Sequence, residues 1–372
     1  MFEQSVAQLR HATGIVIPIY LRPSDSAPEG DSQAVALLRD TVVAVCQVVA
    51  DPSVICLSVD GAAYGSEIVS ALAREYGTSH VIAPENRGKL QGVREGARKL
   101  LEREDLAYVA VLDCDNDHFA NELLNFVRMG EHMATQVREG ARQDTAARAT
   151  PAGPDRGGGD SVAAWRTLIL GRRISRHRPM GLLRGELEEL ADRMLLLALQ
   201  YHAAVSGMPL RLEYATMLDA VPDFHSGYKL FSRATAEDVF LPEPHSMGLP
   251  DTVVYRHAVE AVMVVEALLG GARLGVVNRS TYNRQPVTSY GLLDRAALTA
   301  DMIIYPCKRL GIPGTFVRQW LLDILPSLLL GTLVPQGREE LKAVYHKVLD
   351  AFGQEGSVAL VPDPFASQPL FL

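Results

Sequence analysis

The segment Ala107-Tyr-Val-Ala-Val-Leu-Asp-Cys-Asp-Asn-Asp117 decides the fold that we expect for this chain of 372 residues. Its first six residues form an apolar run of strand length. A continuous run without alternation is typical of a parallel sheet that is covered on both faces. Carboxylates follow where the strand should end, and open parallel sheets bind ligands outside the carboxyl ends of their strands. The segment therefore predicts a fold and the position of a site together.

Similar apolar segments precede this one, and amphipathic stretches separate them. We expect strands at residues 14–18, 54–59, 80–83 and 107–112, with helices at 32–50, 66–76, 88–103 and 119–137. Strands that alternate with helices indicate an α/β fold, here a Rossmann-like, mostly parallel sheet flanked by helices. Residues 1–137 should form this α/β half.

The remainder of the chain divides into three parts. Residues 138–164 are rich in Gly, Ala, Pro, Asp and Arg, which predicts a flexible loop or a lid over a ligand. Residues 165–290 should complete the domain, with a mainly helical stretch at 165–206, strands at 224–232 and 272–278, and a helix at 252–269. Residues 291–372 should form a C-terminal helical region and tail, with helices at 293–310, 315–333 (bent by Pro326) and 337–352. The tail from Ser357 is apolar and proline-rich, which suggests docking on this chain or on a second copy in a homodimer.

Composition excludes several classes of protein. The net charge of −8 argues against a protein that binds nucleic acid through global positive charge. No apolar run reaches the ~20 residues of a membrane-spanning helix, so we expect no integral membrane segment. The four cysteines show no CxxC pairing, and the N-terminus has no signal-peptide layout, so we expect a cytoplasmic protein.

Each of the first four strands ends at a polar or aromatic cluster. The clusters contain Pro18 and Tyr20, then Asp60, then Asn86, Gly88 and Lys89, and finally Asp113, Asp115 and Asp117. Capping and turn formation would explain Asp60 or Asn86 alone. Three carboxylates in one loop repel each other unless a cation neutralises them, and Mg²⁺ or Mn²⁺ prefers such oxygen ligands.

A run of arginines stands out in an acidic chain. Between Asp160 and Glu186 there is no acidic residue, while arginine occupies positions 166, 172, 173, 176, 178 and 184. The run is either a solvated basic face or a site for a phosphate or carboxylate. For the second interpretation, Arg172 and Arg173 are the candidate contacts.

These motifs resemble the nucleotide-sugar glycosyltransferases of the GT-A fold, in particular the large family 2. The matching pieces occur in the family's order: Ile17-Pro18-Ile19-Tyr20, Val59-Asp60-Gly61, Asn86-x-Gly88-Lys89 with Gly96, and Leu112-Asp113-Cys114-Asp115 as the DxD motif. The resemblance covers residues 13–125 well and residues 225–280 more loosely. The sequence departs from the family at Gly92 and Arg94, where alanine and asparagine are usual, and at Asn116, where a second acidic residue is common.

The resemblance implies a metal-dependent transfer of a sugar from a nucleotide-diphosphate sugar, with UDP as the commonest carrier, to a small, soluble acceptor; the arginine run suggests that this acceptor is anionic. It implies that Pro18, Tyr20 and Asp60 hold the nucleobase and that Asp113 contacts the ribose or base. Asn86, Gly88 and Lys89 would lie near the phosphates. Asp115, with Asp117, would bind Mn²⁺ or Mg²⁺. Glu260 is the candidate catalytic base, and Asp251 is its rival; a helix-surface or capping role would explain either residue as well.

Two alternatives stay open. Asp113-Cys-Asp115 also imitates the nucleophile motif of haloacid-dehalogenase-like phosphatases, although that motif usually follows the first strand. A catalytically inactive nucleotide-sugar-binding protein would also retain the strand-end clusters. A P-loop NTPase and a Rossmann dehydrogenase are disfavoured, because neither GxxxxGK[ST] nor GxGxxG occurs where those folds need it.

Overall fold

The computed structural model describes residues 2–21, 33–148, 165–175, 177–212, 214, 221–280 and 294–354. Within these residues the strands are β1 (Thr13–Ile19), β2 (Ile55–Val59), β3 (Ser79–Ile82), β4 (Tyr108–Val111), β5 (Thr167–Arg173), β6 (Lys229–Ser232) and β7 (Arg273–Arg279). The helices of the first half are α1 (Phe2–Ala12), α2 (Gln33–Cys46), α3 (Ser66–Tyr76), α4 (Lys89–Leu101) and α5 (Leu123–Arg148). Those of the second half are α6 (His177–Ser206), α7 (Arg233–Phe240), α8 (Val259–Leu269), α9 (Arg295–Arg309), α10 (Gly314–Ile324), α11 (Leu330–Leu333) and α12 (Gly337–Ala351).

The seven strands of the described residues form one sheet in the order β3-β2-β1-β4-β6-β5-β7. The pairs β1–β2, β1–β4, β2–β3 and β5–β7 are parallel, and β6 runs antiparallel to both β4 and β5. The prediction of an α/β fold with a mostly parallel sheet is therefore confirmed. Because β6 is reversed, its first residue lies at the edge where its neighbours end.

Helices pack on a sheet in which three neighbouring strands are fully buried. All residues of β1, β2 and β4 are buried, α4 packs on β1 and β2, and α5 packs on β5 and β7. Close packing explains Gly96 in α4, since a Cβ there would lie 2.6 Å from Cγ1 of Val16. None of the described helices has the length and apolar composition that a membrane crossing requires.

The structure corrects two sequence-based expectations. The segment 165–206, expected to be mainly helical, begins with β5 and becomes helical only at His177. The loop expected from residue 138 is helical as far as Arg148, and residues 149–164 lie outside the described residues. The bend expected at Pro326 is confirmed, since a 3₁₀ turn, Leu325–Ser327, interrupts the helix expected at 315–333 where proline cannot continue the hydrogen-bond ladder.

Two other predicted elements are present but differ from the prediction in their extent or regularity. The helix expected at 252–269 consists of a π-helical turn, Thr252–His257, followed by α8. The strand expected at 224–232 is shorter, because β6 contains only Lys229–Ser232 and an irregular segment precedes it. The predicted tail contact from Ser357 lies outside the described residues, and so does the boundary expected near residue 290.

Candidate functional site

The carboxyl ends of six strands and the start of β6 meet at one edge of the sheet. The register places Val111 of β4 beside Lys229 of β6, and Lys229 in turn beside Leu170 of β5. Residues that follow Val111 and Arg173, and those that precede Lys229, therefore lie close together. This carboxyl edge is where the sequence predicts the site.

An ion-pair network occupies the middle of the edge. The Nζ atom of Lys89, the first residue of α4, lies 2.6 Å from Oδ1 of Asp113 and 2.8 Å from Oε1 of Glu260. The other oxygen of Glu260 accepts a hydrogen bond from Lys229, whose side chain is fully buried and also donates to the carbonyl of Ser226. Three residues named from the sequence, Lys89, Asp113 and Glu260, are thus in direct contact.

The network shifts the pKa values of Asp113, Lys89 and Lys229. Burial alone would raise the pKa of Asp113, but the ammonium of Lys89 and other nearby positive charges hold it well below its usual range. Burial would lower the pKa of Lys89, yet Asp113 and Glu260 together raise it above its usual value. Lys229 differs, because burial lowers its pKa and Glu260 only partly opposes that effect. Glu260 is thus the counter-ion on which a fully buried ammonium depends.

The backbone around Asp113 is built to fit its carboxylate. A Cβ at Gly227 would collide with Oδ2 of Asp113, so a larger residue there would displace that carboxylate. On the other side, the backbone N–H of Asp113 donates to Nδ1 of His118 at 2.9 Å. The His118 ring stacks on Tyr228 with 4.7 Å between ring centroids, and its burial lowers its pKa well below the usual value. His118 is therefore a neutral acceptor that fixes the start of the acidic loop.

The acidic loop, residues 113–117, turns tightly after β4. Asn116 adopts φ 61°, a left-handed conformation that asparagine tolerates better than most residues. The backbone N–H of Asp117 donates to Oδ1 of Asp115 at 3.2 Å. Arg279, at the end of β7, donates to the Asp117 carbonyl at 3.3 Å, and its guanidinium lies 3.7 Å from the Asp117 carboxylate.

Two of the three carboxylates thus face a cation of the protein itself. Burial, together with the charges of Asp113 and Asp117, raises the pKa of Asp115 to about 7. Asp115 is the carboxylate whose ionised form the loop disfavours. The mutual repulsion of the three carboxylates, which the sequence predicts, therefore acts mainly on Asp115.

The donor set of the loop fits a hard divalent cation. No group of three His, Cys, Asp or Glu side chains surrounds a common point in the described part of the chain. Mg²⁺ and Mn²⁺ do not need such a cage, since they commonly use one or two carboxylates and take the remaining ligands from phosphates and water. Asp115 and Asp117 supply two carboxylates, and a cation would relieve the unfavourable charge on Asp115.

Asp60 organises the loop that connects β3 with α4. Its buried carboxylate accepts hydrogen bonds from the backbone N–H groups of Arg87 and Gly88, at 3.1 and 3.2 Å. Gly88 has φ 132°, and a Cβ there would overlap the carbonyl oxygen of Tyr255. Asn86 is held by Arg256, which donates to both its backbone and side-chain oxygens. These contacts place Lys89 at the network and account for most of the motif at 86–89.

Aromatic rings follow β1 at the same edge. Pro18 lies within β1, and Tyr20 directly follows the strand with 44% of its surface exposed. Tyr20 stacks on Tyr64 with 4.6 Å between centroids and 28° between ring planes. An exposed aromatic pair beside a polar edge offers a flat surface for a planar ligand.

Arginines of the run form ion pairs with carboxylates that lie outside the run. Arg173 is buried at the end of β5 and pairs with Asp223 at 2.5 Å and with Glu188 at 2.7 Å. Arg184 also pairs with Glu188, and Arg166 pairs with Asp238. The expectation of six uncompensated arginines is therefore wrong for these three. Arg172 is half-buried beside Arg173 on β5, and arginines 176 and 178 lie outside the residues whose side chains are described.

The two candidate bases have different surroundings. Glu260 lies inside the network, with 13% of its side chain exposed. Asp251 is 62% exposed and pairs with Arg87 at 3.1 Å, and Arg87 also lies over the ring of Tyr255. The structure thus brings Glu260, but not Asp251, into contact with Lys89.

Sequence reasoning did not assign Lys229, His118 or Arg279 to the site. Lys229 carried a signal, because it is a lysine in the otherwise apolar strand Lys229-Leu-Phe-Ser232. His118 and Arg279 carried none, since each acts through a backbone group that only the folded chain brings close.

Comparisons with known proteins show a resemblance in structure but no match in sequence. No protein-family model and no curated protein sequence matches this chain. The fold is similar to the crystal structure of residues 1–349 of S. aureus TarS, a glycosyltransferase, with 11% identity and a TM-score of 0.37 over 92% of this chain and 90% of that one. A likeness at this level assigns neither a fold family nor an activity, so the roles proposed below are based on the residues of this chain.

Proposed function

We propose that the protein is a glycosyltransferase that moves a sugar from a nucleotide-diphosphate sugar, with UDP as the carrier, to a small, soluble, anionic acceptor. The observation that supports this most is the contact of Lys89 with both Asp113 and Glu260, next to the acidic loop. Lys89 lies at the N-terminus of α4, a position that favours binding of phosphate groups. The carboxylates of the acidic loop are of the kind that bind a divalent ion, which in turn bridges a diphosphate.

Different residues at the carboxyl edge of the sheet have different proposed roles. The stacked rings of Tyr20 and Tyr64 receive the nucleobase. Lys89 contacts the diphosphate, and Asp113 orients Lys89 and the ribose. Mn²⁺ or Mg²⁺ on Asp115 and Asp117 would supply positive charge to the diphosphate as it leaves. Arg172 is the proposed contact of the anionic acceptor.

Glu260 is proposed to hold Lys89 in place, since both of its carboxylate oxygens contact ammonium groups. The phosphatase alternative requires Asp113 as nucleophile. It receives no support from the geometry, because Lys89 and the backbone at Gly227 occupy the surroundings of that carboxylate.

Calorimetric titration with UDP-glucose, GDP-mannose and TDP-glucose, with and without Mn²⁺, tests the proposal. We expect Mn²⁺-dependent binding by the parent protein and its loss in Asp115→Asn. Asp105→Asn is the matched control, because Asp105 is an exposed carboxylate that precedes β4, at the other end of the strand. The Asp115→Asn protein should fold, since the substitution removes a repelled charge.

Unchanged binding in Asp115→Asn would refute the metal role. Hydrolysis of p-nitrophenyl phosphate without nucleotide affinity would favour the phosphatase. Binding without release of UDP towards any anionic acceptor would favour the inactive binding protein.

A further inference from the structure

A buried carboxylate–histidine pair lies beside the network and has no role in the function proposed above. Nδ1 of His225 lies 2.7 Å from Oδ1 of Asp192 on α6, and the backbone N–H of His225 donates to the same oxygen at 3.2 Å. The side chains are 2% and 0% exposed. Two hydrogen bonds to one carboxylate oxygen fix both the position and the rotation of the ring.

The pair leaves one ring nitrogen as an acceptor. Asp192 accepts the Nδ1 hydrogen, so neutral His225 presents a lone pair at Nε2. Among the residues that the structure describes, none forms a hydrogen bond with this buried atom. A buried acceptor without a donor is unfavourable, so a bound hydroxyl group would relieve an existing penalty.

The segment that carries His225 touches the site on both sides. Two residues earlier, Asp223 accepts hydrogen bonds from Arg173 at the end of β5. Two residues later, Gly227 packs against the carboxylate of Asp113. His225 is therefore two residues away from a contact of Arg173 on one side and from a contact of Asp113 on the other.

We propose that His225, oriented by Asp192, is the general base of the transfer reaction, an inference that rests on the glycosyltransferase function proposed above. Nε2 takes the proton of the acceptor hydroxyl while its oxygen forms a bond to the anomeric carbon of the donor. The bond from that carbon to the diphosphate breaks, and its electron pair stays on the leaving nucleoside diphosphate. Asp192 stabilises the imidazolium that results.

Neither carboxylate considered from the sequence offers an equivalent acceptor. Glu260 binds Lys89 and Lys229 through its two oxygens, and Asp251 pairs with Arg87 on the exposed rim. A base needs an acceptor atom that the protein does not already use. Nε2 of His225 meets this condition as far as the described residues are concerned.

The test measures nucleotide release from the nucleotide-sugar that binds tightest in the three-donor panel, with Mn²⁺ present and water as the acceptor. We expect His225→Gln to lower kcat about 100-fold or more, the usual range for a general base. The dissociation constant for the donor should change less than about twofold, because the proposed role of His225 is to bind the acceptor hydroxyl and not the nucleotide. His202→Gln is the matched control, since His202 lies on α6 and bonds to the Leu310 carbonyl.

A second variant separates catalysis from a structural role. Asp192→Asn should lower kcat about tenfold and leave the dissociation constant for the donor unchanged, because the amide still orients the His225 ring but carries no charge.

The outcomes distinguish the two proposals. A His225→Gln protein that is folded by circular dichroism and keeps more than about a fifth of the parent kcat overturns the base. Loss of donor binding in proportion to kcat overturns it too, since the ring would then act on binding. A parent protein that binds none of the three donors refutes the glycosyltransferase function, and the base with it.

Discussion

Removing the carboxylate of Glu260 should destabilise the protein more than removing its equivalent elsewhere on the same helix. The side chain of Glu260 is 13% exposed and is the counter-ion of Lys229, whose side chain is 0% exposed. Taking one partner from a buried ion pair costs about 3–5 kcal/mol, because the remaining charge has lost its compensation. Glu260→Gln should therefore lower the free energy of unfolding by about 3 kcal/mol, the low end, since the amide can still accept a hydrogen bond.

Glu266 provides the matched control. It also lies on α8, is 14% exposed, and pairs with Arg309, whose side chain is 22% exposed and reaches water. Glu266→Gln should cost only about 1 kcal/mol, as expected for a partly hydrated pair. Denaturation in urea, followed by tryptophan fluorescence, compares the two variants. Equal losses would refute the conclusion that burial of Lys229 is what makes Glu260 indispensable.

The pH dependence adds a second criterion. Burial already lowers the pKa of Lys229, and loss of Glu260 should lower it further. A lysine whose pKa is depressed in the folded state contributes stability above its unfolded pKa and loses it as pH falls. The deficit of Glu260→Gln should therefore shrink from pH 7 to pH 10, by at most about 1.4 kcal/mol per unit. Arg309 stays charged, so the deficit of Glu266→Gln should not change.

Three further predictions concern the edge of the sheet. Arg173→Ala should destabilise the protein by about 3 kcal/mol, because it removes the guanidinium that pairs with buried Asp223 and Glu188; Arg172→Ala should cost far less in the same urea assay. Gly88→Ala should lower the thermal midpoint more than Gly77→Ala, since both have positive φ but only Gly88 faces backbone at the Cβ position. Because the pKa of Asp115 is raised to about 7, Mn²⁺ affinity measured by calorimetry should fall about tenfold per pH unit below 7, with uptake of one proton on release. Affinity that is constant from pH 5 to 8 would contradict this.

Much of the fold was predictable because its strands are local signals. Continuous apolar runs of four to seven residues mark β1, β2 and β4, whose residues are all buried. β5 was missed because Thr167–Arg173 ends in Gly-Arg-Arg and is followed by further arginines. A series of arginines indicates a solvated basic face. In the structure, however, Arg173 is buried against carboxylates at positions 188 and 223.

The same distinction applies to the site. Asp113 and Lys89 were identified because each follows a predicted strand end, which the topology of a parallel sheet brings to one edge. The contact of Lys89 with Glu260 spans 171 residues of sequence, and nothing in the local pattern specifies it. The Asp192–His225 pair is similar, since its members are 33 residues apart and neither lies in a recognisable motif.

The amino-acid sequence by itself determined the alternation of strands and helices, the edge at which polar residues gather, and the acidic loop after β4. Those features depend on neighbouring residues, because apolar runs and strand-end carboxylates act over a few positions. Only the tertiary structure decided which charges are compensated: it paired Arg173 with Asp223, and Glu260 with Lys229. Ion pairing and burial depend on distances between remote segments, and these exist only once the chain has folded.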